Sequence, residues 1–255
     1  MQFIDSLMLA SKGKTHIFSM GQAGYIIKSK SGRTLGIDLY LSECVERVEG
    51  HDGYHRLMPE IVNPSELNLD ILIATHFHRD HFDIDAIPEL MANGKTMLYC
   101  SYDCKDDVER LGIDNQRVVF AQSGNKYEVD GFEIRFTKCD HGTGAPQALG
   151  VLISVDNHNI LEVGDTSFHE EWKDEYLSAG PIDVLIAPIN GAYGNLNEQE
   201  HILLTKVLHP ELVIPCHFGM FASHGGRIDY WHSLIREQIP EQKYKIFRMG
   251  EGIRL

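Results

Sequence analysis

Short apolar runs alternate along the chain with polar segments in which apolar residues recur at helical spacing. The short runs predict β-strands, and the segments with helical spacing predict α-helices. The predicted strands cover residues 15–20, 25–29, 33–37, 70–74, 96–100, 117–121, 126–129, 132–139, 149–155, 159–163, 184–187 and 212–215. The predicted helices cover residues 84–93, 102–111, 168–177, 198–208 and 228–237. Residues 44–64 show neither period and predict a long irregular loop.

Turn signals group these elements. Asp130-Gly131 predicts one hairpin, and Asn157-His158 predicts a second. Antiparallel strands come first and β-α-β units follow, which favours two sheets packed face to face with helices outside, an α/β fold. No repeat, low-complexity segment or Pro/Ser-rich linker interrupts the chain, so we expect one domain over residues 1–255.

The most distinctive polar cluster directly follows the apolar run 70–74 and reads Thr-His-Phe-His-Arg-Asp-His at residues 75–81. His76 and His78 are two positions apart, so on an extended chain they point to the same side. Asp80 and His81 follow where the chain turns toward a helix and can face the same point from another direction. Burying this cluster without a cation would be costly. It therefore predicts a metal site, and its donors suit zinc, manganese or iron.

Three further candidates follow predicted strands, namely His141, Asp165 and His217. Each is ambiguous alone, because such residues are common in turns and helix caps, and Asp165 could cap the next helix. Together with residues 75–81 they supply enough ligands for two metals. Other histidines stand singly and are interpreted as surface or hydrogen-bonded residues: His16, His158, His169, His201, His209 and His232.

Composition limits the partners. The net charge of -14 disfavours binding of nucleic acid polymers, which requires clustered Lys and Arg, but permits a small anionic substrate beside metal ions. No apolar run approaches the ~20 residues that span a bilayer, and no signal peptide is visible, so we expect no membrane segment. The 5 scattered cysteines fit a reduced cytoplasmic protein. The sequence leaves open whether the chain forms a homo-oligomer.

The order H-x-H-x-D-H, a lone His, G-D-T and a lone His after I-P resembles the metallo-β-lactamase superfamily. The resemblance implies a four-layer αββα sandwich of the α/β class, with two divalent metal ions in a cleft at one edge. It assigns the ligands of the first metal (His76, His78, His141), those of the second (Asp80, His81, His217) and the bridging Asp165.

Five segments resemble the L-ascorbate-6-phosphate lactonase branch of that superfamily: residues 35–42, 56–59, 188–191, 194–197 and 214–221. This resemblance implies manganese- or zinc-dependent opening of a phosphorylated or acidic sugar lactone, and the all-N/O ligand set also admits iron. A hydroxide held between two cations would attack the carbonyl. Asp80 would orient this nucleophile and carry a proton toward the leaving alkoxide, and Asp165 would complete the catalytic pair.

Supporting residues are open to two interpretations. Asp38 either accepts a hydrogen bond from a ligand histidine or is a turn residue at a strand end. Arg56, in the long polar loop, either binds a phosphate or carboxylate or is a solvated surface residue. Three residues either line the cleft with neutral hydrogen bonds or serve turn chemistry: Asn190, Tyr193 and Asn197. His224, next to Gly225-Gly226, either donates a hydrogen bond to the substrate or is a loop histidine, and the loop interpretation is favoured.

Two other functions compete with the lactonase. A phosphodiesterase or nuclease on the same scaffold would want a basic groove, which the net charge of -14 disfavours for polymeric substrates. A non-catalytic metal-binding module would be expected to have a degenerate ligand set, whereas every ligand position here is filled.

Overall fold

The structure of the protein is a computed structural model that describes residues 3–50 and 53–255. Two predictions therefore fall partly outside the described residues. The irregular loop predicted over 44–64 includes residues 51–52, and the domain expected over 1–255 also includes residues 1–2. The strands are β1 His16–Gly21, β2 Gly24–Lys28, β3 Thr34–Ile37, β4 Ile71–Ala74, β5 Met97–Ser101, β6 Val118–Ala121, β7 Lys126–Val129, β8 Phe132–Lys138, β9 Leu149–Val155, β10 His158–Glu162, β11 Val184–Pro188, β12 Leu212–Cys216, β13 Lys243–Tyr244 and β14 Gly252–Arg254.

The α-helices are α1 Phe3–Leu9, α2 Cys44–Glu49, α3 Ala86–Met91, α4 Lys105–Arg110, α5 Lys173–Tyr176, α6 Glu198–Leu208 and α7 Ile228–Gln238. Short 3-10 helices cover Pro64–Glu66, Tyr102–Cys104, Asn115–Arg117, Gly142–Gly144 and Glu170–Trp172. None of the helices in the described ranges is long and apolar enough to cross a membrane.

The described chain divides into two compact units. Unit 1 contains the described residues through Ala121 together with Phe247–Leu255, and unit 2 contains Gln122–Ile246. Each unit has its own 7-stranded mixed sheet, as expected for the α/β class. The expectation of one domain over residues 1–255 stays a prediction.

The sheet of unit 1 has the order β14-β1-β2-β3-β4-β5-β6. Its first four strands are antiparallel neighbours, and β3 to β6 are parallel. Strand β4 lies among the parallel strands and all four of its residues are buried, which explains its continuous apolar run.

The sheet of unit 2 has the order β13-β12-β11-β10-β9-β8-β7. The hairpin strands β7 to β10 are antiparallel, whereas β10 to β13 are parallel. Alternate residues of β11 pack with α6, where Leu185 and Ala187 join Leu204 and Leu208 in one apolar cluster. Parallel strands bring their carboxyl ends to one edge of each sheet.

Several element predictions require correction. The segment predicted as irregular contains helix α2, and the second hairpin turns at Asp156-Asn157, both with positive φ, one residue earlier than predicted. The helix predicted over 168–177 begins as the 3-10 helix Glu170–Trp172 and continues as the short α5.

Three short elements were missed, namely α1, β13 and β14. The two strands have only 2 and 3 residues, too few for a periodic signal, and they form by pairing with β12 and β1. Strand β14 pairs with β1 by placing Gly252 against the Phe18 ring, where a Cβ would lie only 2.4 Å from ring carbons.

Candidate metal centre

The polar motif of unit 1 lies where parallel strands β3 and β4 end side by side. Ile37 pairs with Ile73, so Asp38 emerges next to Thr75 and His76. The Asp38 backbone has φ of 46°, a left-handed conformation that is uncommon outside glycine and often marks functional sites. The pairing of β3 with β4 thus places a carboxylate beside the first histidine of the motif.

Asp38 holds the motif through hydrogen bonds and is fully buried. The Thr75 amide donates to Oδ1 at 2.8 Å, and the Thr75 hydroxyl donates to Oδ2 at 2.6 Å. His81 Nδ1 lies 2.7 Å from Oδ2, so its N–H donates to the carboxylate. This bond fixes the proton on Nδ1 and leaves Nε2 deprotonated, the arrangement that carboxylates commonly impose on metal-ligating histidines. The hydrogen bond expected of Asp38 is therefore present.

The ligand atoms of the motif lie close together. His76 Nε2 is 3.0 Å from His78 Nδ1, and the ligand atoms of His76 and His81 lie within 4.8 Å of each other. Asp80 Oδ2 is 3.7 Å from His81 Nε2. Two nitrogens bound tetrahedrally to zinc at about 2.0–2.1 Å are about 3.3 Å apart. The unit 1 cluster, His76, His78, Asp80 and His81, therefore has spacings that suit a metal ion.

Two residues that sequence reasoning missed hold this cluster in place. Gln22, in the β1–β2 turn with φ of 51°, donates from Nε2 to Asp80 Oδ2 at 2.8 Å. Asp83 is fully buried and accepts from the amides of Leu41 and Ser42, both at 2.9 Å. It also accepts from the Ser42 hydroxyl at 2.7 Å and from two amides at the start of α3, both at 3.0 Å. Asp83 thus ties the chain after His81 to the segment that follows Asp38.

The candidates of unit 2 also follow strands whose ends meet at one edge. Asp165 comes after β10 and His217 directly after β12, with the parallel strand β11 between them. His217 has φ of 61°, so the chain turns sharply there. No helix begins at Asp165, because the next helical turn starts at Glu170, and the alternative role as a helix cap does not apply.

The unit 2 cluster, His141, Asp165 and His217, is buried. Asp165 Oδ2 lies 3.0 Å from His217 Nε2 and 3.8 Å from His141 Nε2. The Asp165 carboxylate thus lies close enough to both imidazoles to bind the same metal ions as they do.

A set of hydrogen bonds fastens the His141 loop to the Asp165 loop. The Cys139 thiol donates to the Asp165 carbonyl at 3.0 Å, and the Asp140 amide donates to Thr166 Oγ1 at 3.0 Å. His169 lies 2.9 Å from the Asp140 carboxylate and, through its other ring nitrogen, 2.8 Å from Glu171.

These hydrogen bonds change the pKa values of Asp140 and His169. The hydrogen bond from His169 lowers the pKa of Asp140. Burial lowers the pKa of His169, but its hydrogen bonds with Glu171 and Asp140 outweigh burial and raise it overall. From the sequence alone, His169 has no role beyond that of a surface or hydrogen-bonded histidine.

His224 lies at the unit 2 cluster rather than in an uninvolved loop. It is buried, its ring centre is 5.3 Å from that of His217, and the ligand atoms of the two histidines lie within 4.8 Å. Ser223 Oγ is 3.1 Å from its Nδ1, and the rings of Tyr193 and Phe221 flank it. A histidine directly before a pair of glycines offers no sequence signal for this contact.

The predicted substrate residues have different surroundings. Asn197 caps α6, because its Oδ1 accepts from the amides of Gln199 and Glu200 at 2.9 and 3.0 Å. Tyr193 is 54% exposed and packs on His224. Asn190 is buried directly beyond β11.

Arg56 is buried rather than solvated. It donates from Nε to the Met58 carbonyl at 2.8 Å and from Nη1 to the carbonyls of Tyr40 and Ser42, both at 3.1 Å. Its guanidinium lies 4.8 Å from the Tyr40 ring centre. Among the residues that the structure describes, its buried Nη2 has no hydrogen-bond partner.

The donor chemistry of both clusters fits divalent metal ions. Imidazole nitrogens and carboxylate oxygens suit zinc, manganese and iron. The neighbouring donor atoms are 3.0–3.8 Å apart, a spacing close to that of ligands on one ion. Within unit 1, the Asp38–His81 hydrogen bond supplies the supporting carboxylate that such sites use.

Comparison with known proteins gives the same picture. Residues 16–217 match a beta-lactamase superfamily domain. A UPF0173 metal-dependent hydrolase of Thermodesulfovibrio yellowstonii is 26% identical over 98% of this chain and 95% of that protein. A second UPF0173 metal-dependent hydrolase, from Saccharolobus solfataricus, is 30% identical over 60% of this chain and 66% of that protein.

Solved structures share the fold. A possible metal-dependent hydrolase from Veillonella parvula has a TM-score of 0.75 and 18% identity, over 95% of this chain and all 100% of that one. The metallo hydrolase Igni18 from Ignicoccus hospitalis has a TM-score of 0.72 and 19% identity, over 95% and 98%. Because the family domain covers most of the sequence and these neighbours share its architecture, the chain belongs to the metallo-β-lactamase superfamily and has its fold.

Proposed function

We propose that this metal-dependent hydrolase of the metallo-β-lactamase superfamily is a lactonase that opens a phosphorylated or acidic sugar lactone. One observation carries the proposal beyond the family. Two segments that resemble the ascorbate-phosphate lactonase branch lie at the clusters: 214–221 contains His217 of the unit 2 cluster, and 35–42 contains Asp38, the hydrogen-bond partner of His81. The resemblance therefore includes a proposed ligand and the residue that orients another.

The proposed ligands are those of the unit 1 cluster and the unit 2 cluster, with Asp165 shared between the ions. When bound, divalent metal ions lower the pKa of a water molecule and polarise the substrate carbonyl. The Asp38–His81 hydrogen bond keeps Nε2 of His81 deprotonated and fixes the orientation of the imidazole ring, so that Nε2 would bind the metal ion.

Asp80 is the proposed acid-base residue. Gln22 holds its Oδ2, which fixes the orientation of the carboxylate. Asp80 would take a proton from the attacking water as the water oxygen forms a bond to the lactone carbonyl carbon. It would then give this proton to the ring oxygen as the carbon–oxygen bond of the ring breaks, so the product is one hydroxy acid.

The substrate is proposed to carry an anionic group that Arg56 contacts through Nη2. Three hydrogen bonds to backbone carbonyls preorganise the guanidinium, and a buried cationic nitrogen without a partner among the described residues is suited to an anion. The net charge of -14 leaves room for a small, metal-compensated anion but not for a polyanion.

A substrate panel tests the proposal. The protein is loaded with manganese, zinc or iron in turn and assayed against phosphorylated sugar lactones, their unphosphorylated counterparts, cyclic nucleotides and bis-p-nitrophenyl phosphate. We expect turnover of the lactones, highest for the phosphorylated ones. Asp80→Ala should fold and lose at least about a hundredfold in kcat, because it removes stabilisation made only in the transition state.

The panel can contradict the proposal in two ways. Turnover confined to phosphodiesters would establish the alternative hydrolase in its place. An Asp80→Ala variant that binds metal and keeps nearly full activity on lactones would remove Asp80 from the mechanism.

A further inference from the structure

We propose that Asn190 and Asn195 form a recognition site for hydroxyl groups of the substrate. The inference deepens the proposed function and rests on it for the location of the reaction. It begins with the position of Asn190 in unit 2. Strand β11 lies between β10 and β12, whose ends lead to Asp165 and His217. Asn190 follows β11 and therefore stands between the two ligand-bearing strand ends.

Residue alternation decides the face of the sheet that Asn190 occupies. Leu185 and Ala187 belong to the apolar cluster of α6, and Ile189 belongs to the cluster of Trp231 in α7. Successive side chains of a strand point to opposite faces, and continuing this alternation past the end of β11 at Pro188 assigns Asn190 to the face away from these helices.

The Asn190 amide is buried and unsatisfied. The residue is 7% exposed, and neither Oδ1 nor Nδ2 has a hydrogen-bond partner among the described residues. Buried polar side chains in native proteins usually have partners, and a group that lacks them calls for an explanation, one of which is a functional role. A carboxamide that is sheltered from water, at the end of the strand between the two ligand-bearing strands, is therefore available to bind a polar group.

Asn195 repeats this pattern in the same loop. It is 4% exposed, and both of its amide atoms also lack partners in the described part of the chain. Its backbone is fixed, because its amide donates to the Ala192 carbonyl at 3.0 Å and the next amide, of Leu196, donates to Thr166 at 2.7 Å. Thr166 directly follows Asp165, so the loop is tied to the chain beside that ligand.

A third asparagine of the loop shows the contrast. Asn197 uses its side chain to cap α6, so its oxygen is already satisfied by the protein. The loop thus keeps one asparagine for structure and leaves the amides of two others without protein partners.

The chemistry of the amides selects the ligand class. Each carboxamide offers a donor and an acceptor, and a hydroxyl group offers both in return. A phosphate or carboxylate offers only acceptors and would leave each Oδ1 unsatisfied. Residues 190–197 carry no charged side chain. The pair therefore fits a neutral, hydroxyl-rich part of the substrate, and an analogue without hydroxyls would be rejected because the buried amides would stay unpaired.

Calorimetric binding of two hydroxy acids tests the site without requiring turnover. The metal-loaded protein is titrated with D-gluconate and with 5-hydroxyvalerate, which lacks the additional hydroxyls. We expect wild type to prefer gluconate. Asn190→Leu and Asn195→Leu should each weaken gluconate binding by about tenfold or more, with less than about a twofold change for 5-hydroxyvalerate. Asn115→Leu, at an exposed position of unit 1, is the matched control and should change neither affinity.

Thermal unfolding separates a ligand role from a structural one. Replacing an unsatisfied buried amide with an apolar group should leave Tm unchanged or raise it. A lowered Tm, an equal loss of affinity for both acids, or no wild-type preference for gluconate would overturn the inference. If lactone turnover fails while gluconate binding still depends on both asparagines, the lactonase proposal is wrong and the recognition site stands.

Discussion

A buried carboxylate that accepts a hydrogen bond from a histidine determines which ring nitrogen of that histidine carries the proton. Asp38 accepts from Thr75 and from His81, so its buried oxygens are satisfied by three donors and the His81 tautomer is fixed. The left-handed backbone of Asp38 brings its carboxylate to this position. Asparagine tolerates this conformation better than most residues, which makes it the appropriate conservative substitution.

The Asp38–His81 contact predicts an effect on metal affinity. Asp38→Ala should weaken metal binding by about ten- to a hundredfold, because His81 loses the partner that orients it. Asp38→Asn should weaken it less, since it keeps an acceptor and the backbone geometry. Competition with a chromophoric chelator measures both affinities. Unchanged affinity in the alanine variant would separate Asp38 from the metal site.

A second buried histidine, His201 in α6, lies outside the proposed ligand set. Trp231 donates from Nε1 to its Nδ1 at 3.0 Å, which places the ring proton on Nε2. Burial lowers the pKa of His201 to about 3. The folded protein therefore keeps this ring neutral at pH values where the unfolded chain, with a pKa of about 6.5, takes up a proton.

His201 predicts acid sensitivity of the fold. Its contribution to stability is complete above pH about 6.5 and is lost as the pH falls toward 3, by about 1.4 kcal/mol per pH unit. Urea unfolding of the metal-free protein at pH 7 and pH 5 should show a smaller acid loss for His201→Gln than for wild type. His158→Gln, in the β9–β10 hairpin, serves as the control. Equal pH dependence in wild type and His201→Gln would contradict this account.

At the scale of elements, side-chain hydrogen bonds connect the loops that carry the proposed ligands to neighbouring segments. In unit 1, Asp83 joins the start of α3 to the segment after β3. In unit 2, Asp140 and His169 join the loops of His141 and Asp165. Loops that carry metal ligands need such fixation, because a ligand displaced by a fraction of an ångström loses affinity.

The Asp83 connection predicts a stability effect. Asp83→Ala removes a buried acceptor and leaves several amides unsatisfied, so the free energy of unfolding should fall by about 3 kcal/mol or more. Asp83→Asn should lose less, because one oxygen remains. Asp85→Ala is the control, since Asp85 makes an exposed ion pair with Arg47 and should change stability by less than about 1 kcal/mol. Urea unfolding gives all three free energies. An Asp83→Ala variant with the free energy of unfolding of wild type would show that the other contacts are enough to hold these segments together.

At the scale of the whole molecule, the ligands and the net charge act together. Each unit carries a largely buried cluster of proposed ligands, and the net charge of -14 favours uptake of cations. Burial of unpaired imidazoles and carboxylates is costly, so bound metal ions should stabilise the native state.

Metal removal tests this expectation. Chelation should lower Tm by about 5–10 °C relative to protein with metal at a hundred times its Kd, because such binding stabilises by about 2.7 kcal/mol. Elemental analysis of the reconstituted protein should approach two ions per chain. A Tm that does not respond to chelation, or clearly less than one ion per chain, would contradict the dinuclear proposal.

The sequence alone determined the class of fold and the candidate ligands. Apolar runs of strand length and helical periodicity are local signals, and most predicted elements lie within a few residues of the observed ones. The motif at residues 75–81 and the residues His141, Asp165 and His217 could be found because ligands at strand ends follow recognisable apolar runs. The resemblance in their order was enough to name the superfamily.

Only the tertiary structure decided how the remaining residues are used. Asp38 bonds to His81 from 43 positions away, and Gln22 bonds to Asp80 from 58 positions away. Such contacts depend on which strands become neighbours, and spacing along the chain does not encode that. Likewise, a sequence shows three asparagines in one loop, but only burial and hydrogen bonding separate Asn197, which caps a helix, from Asn190 and Asn195, whose amides have no protein partner in the described structure.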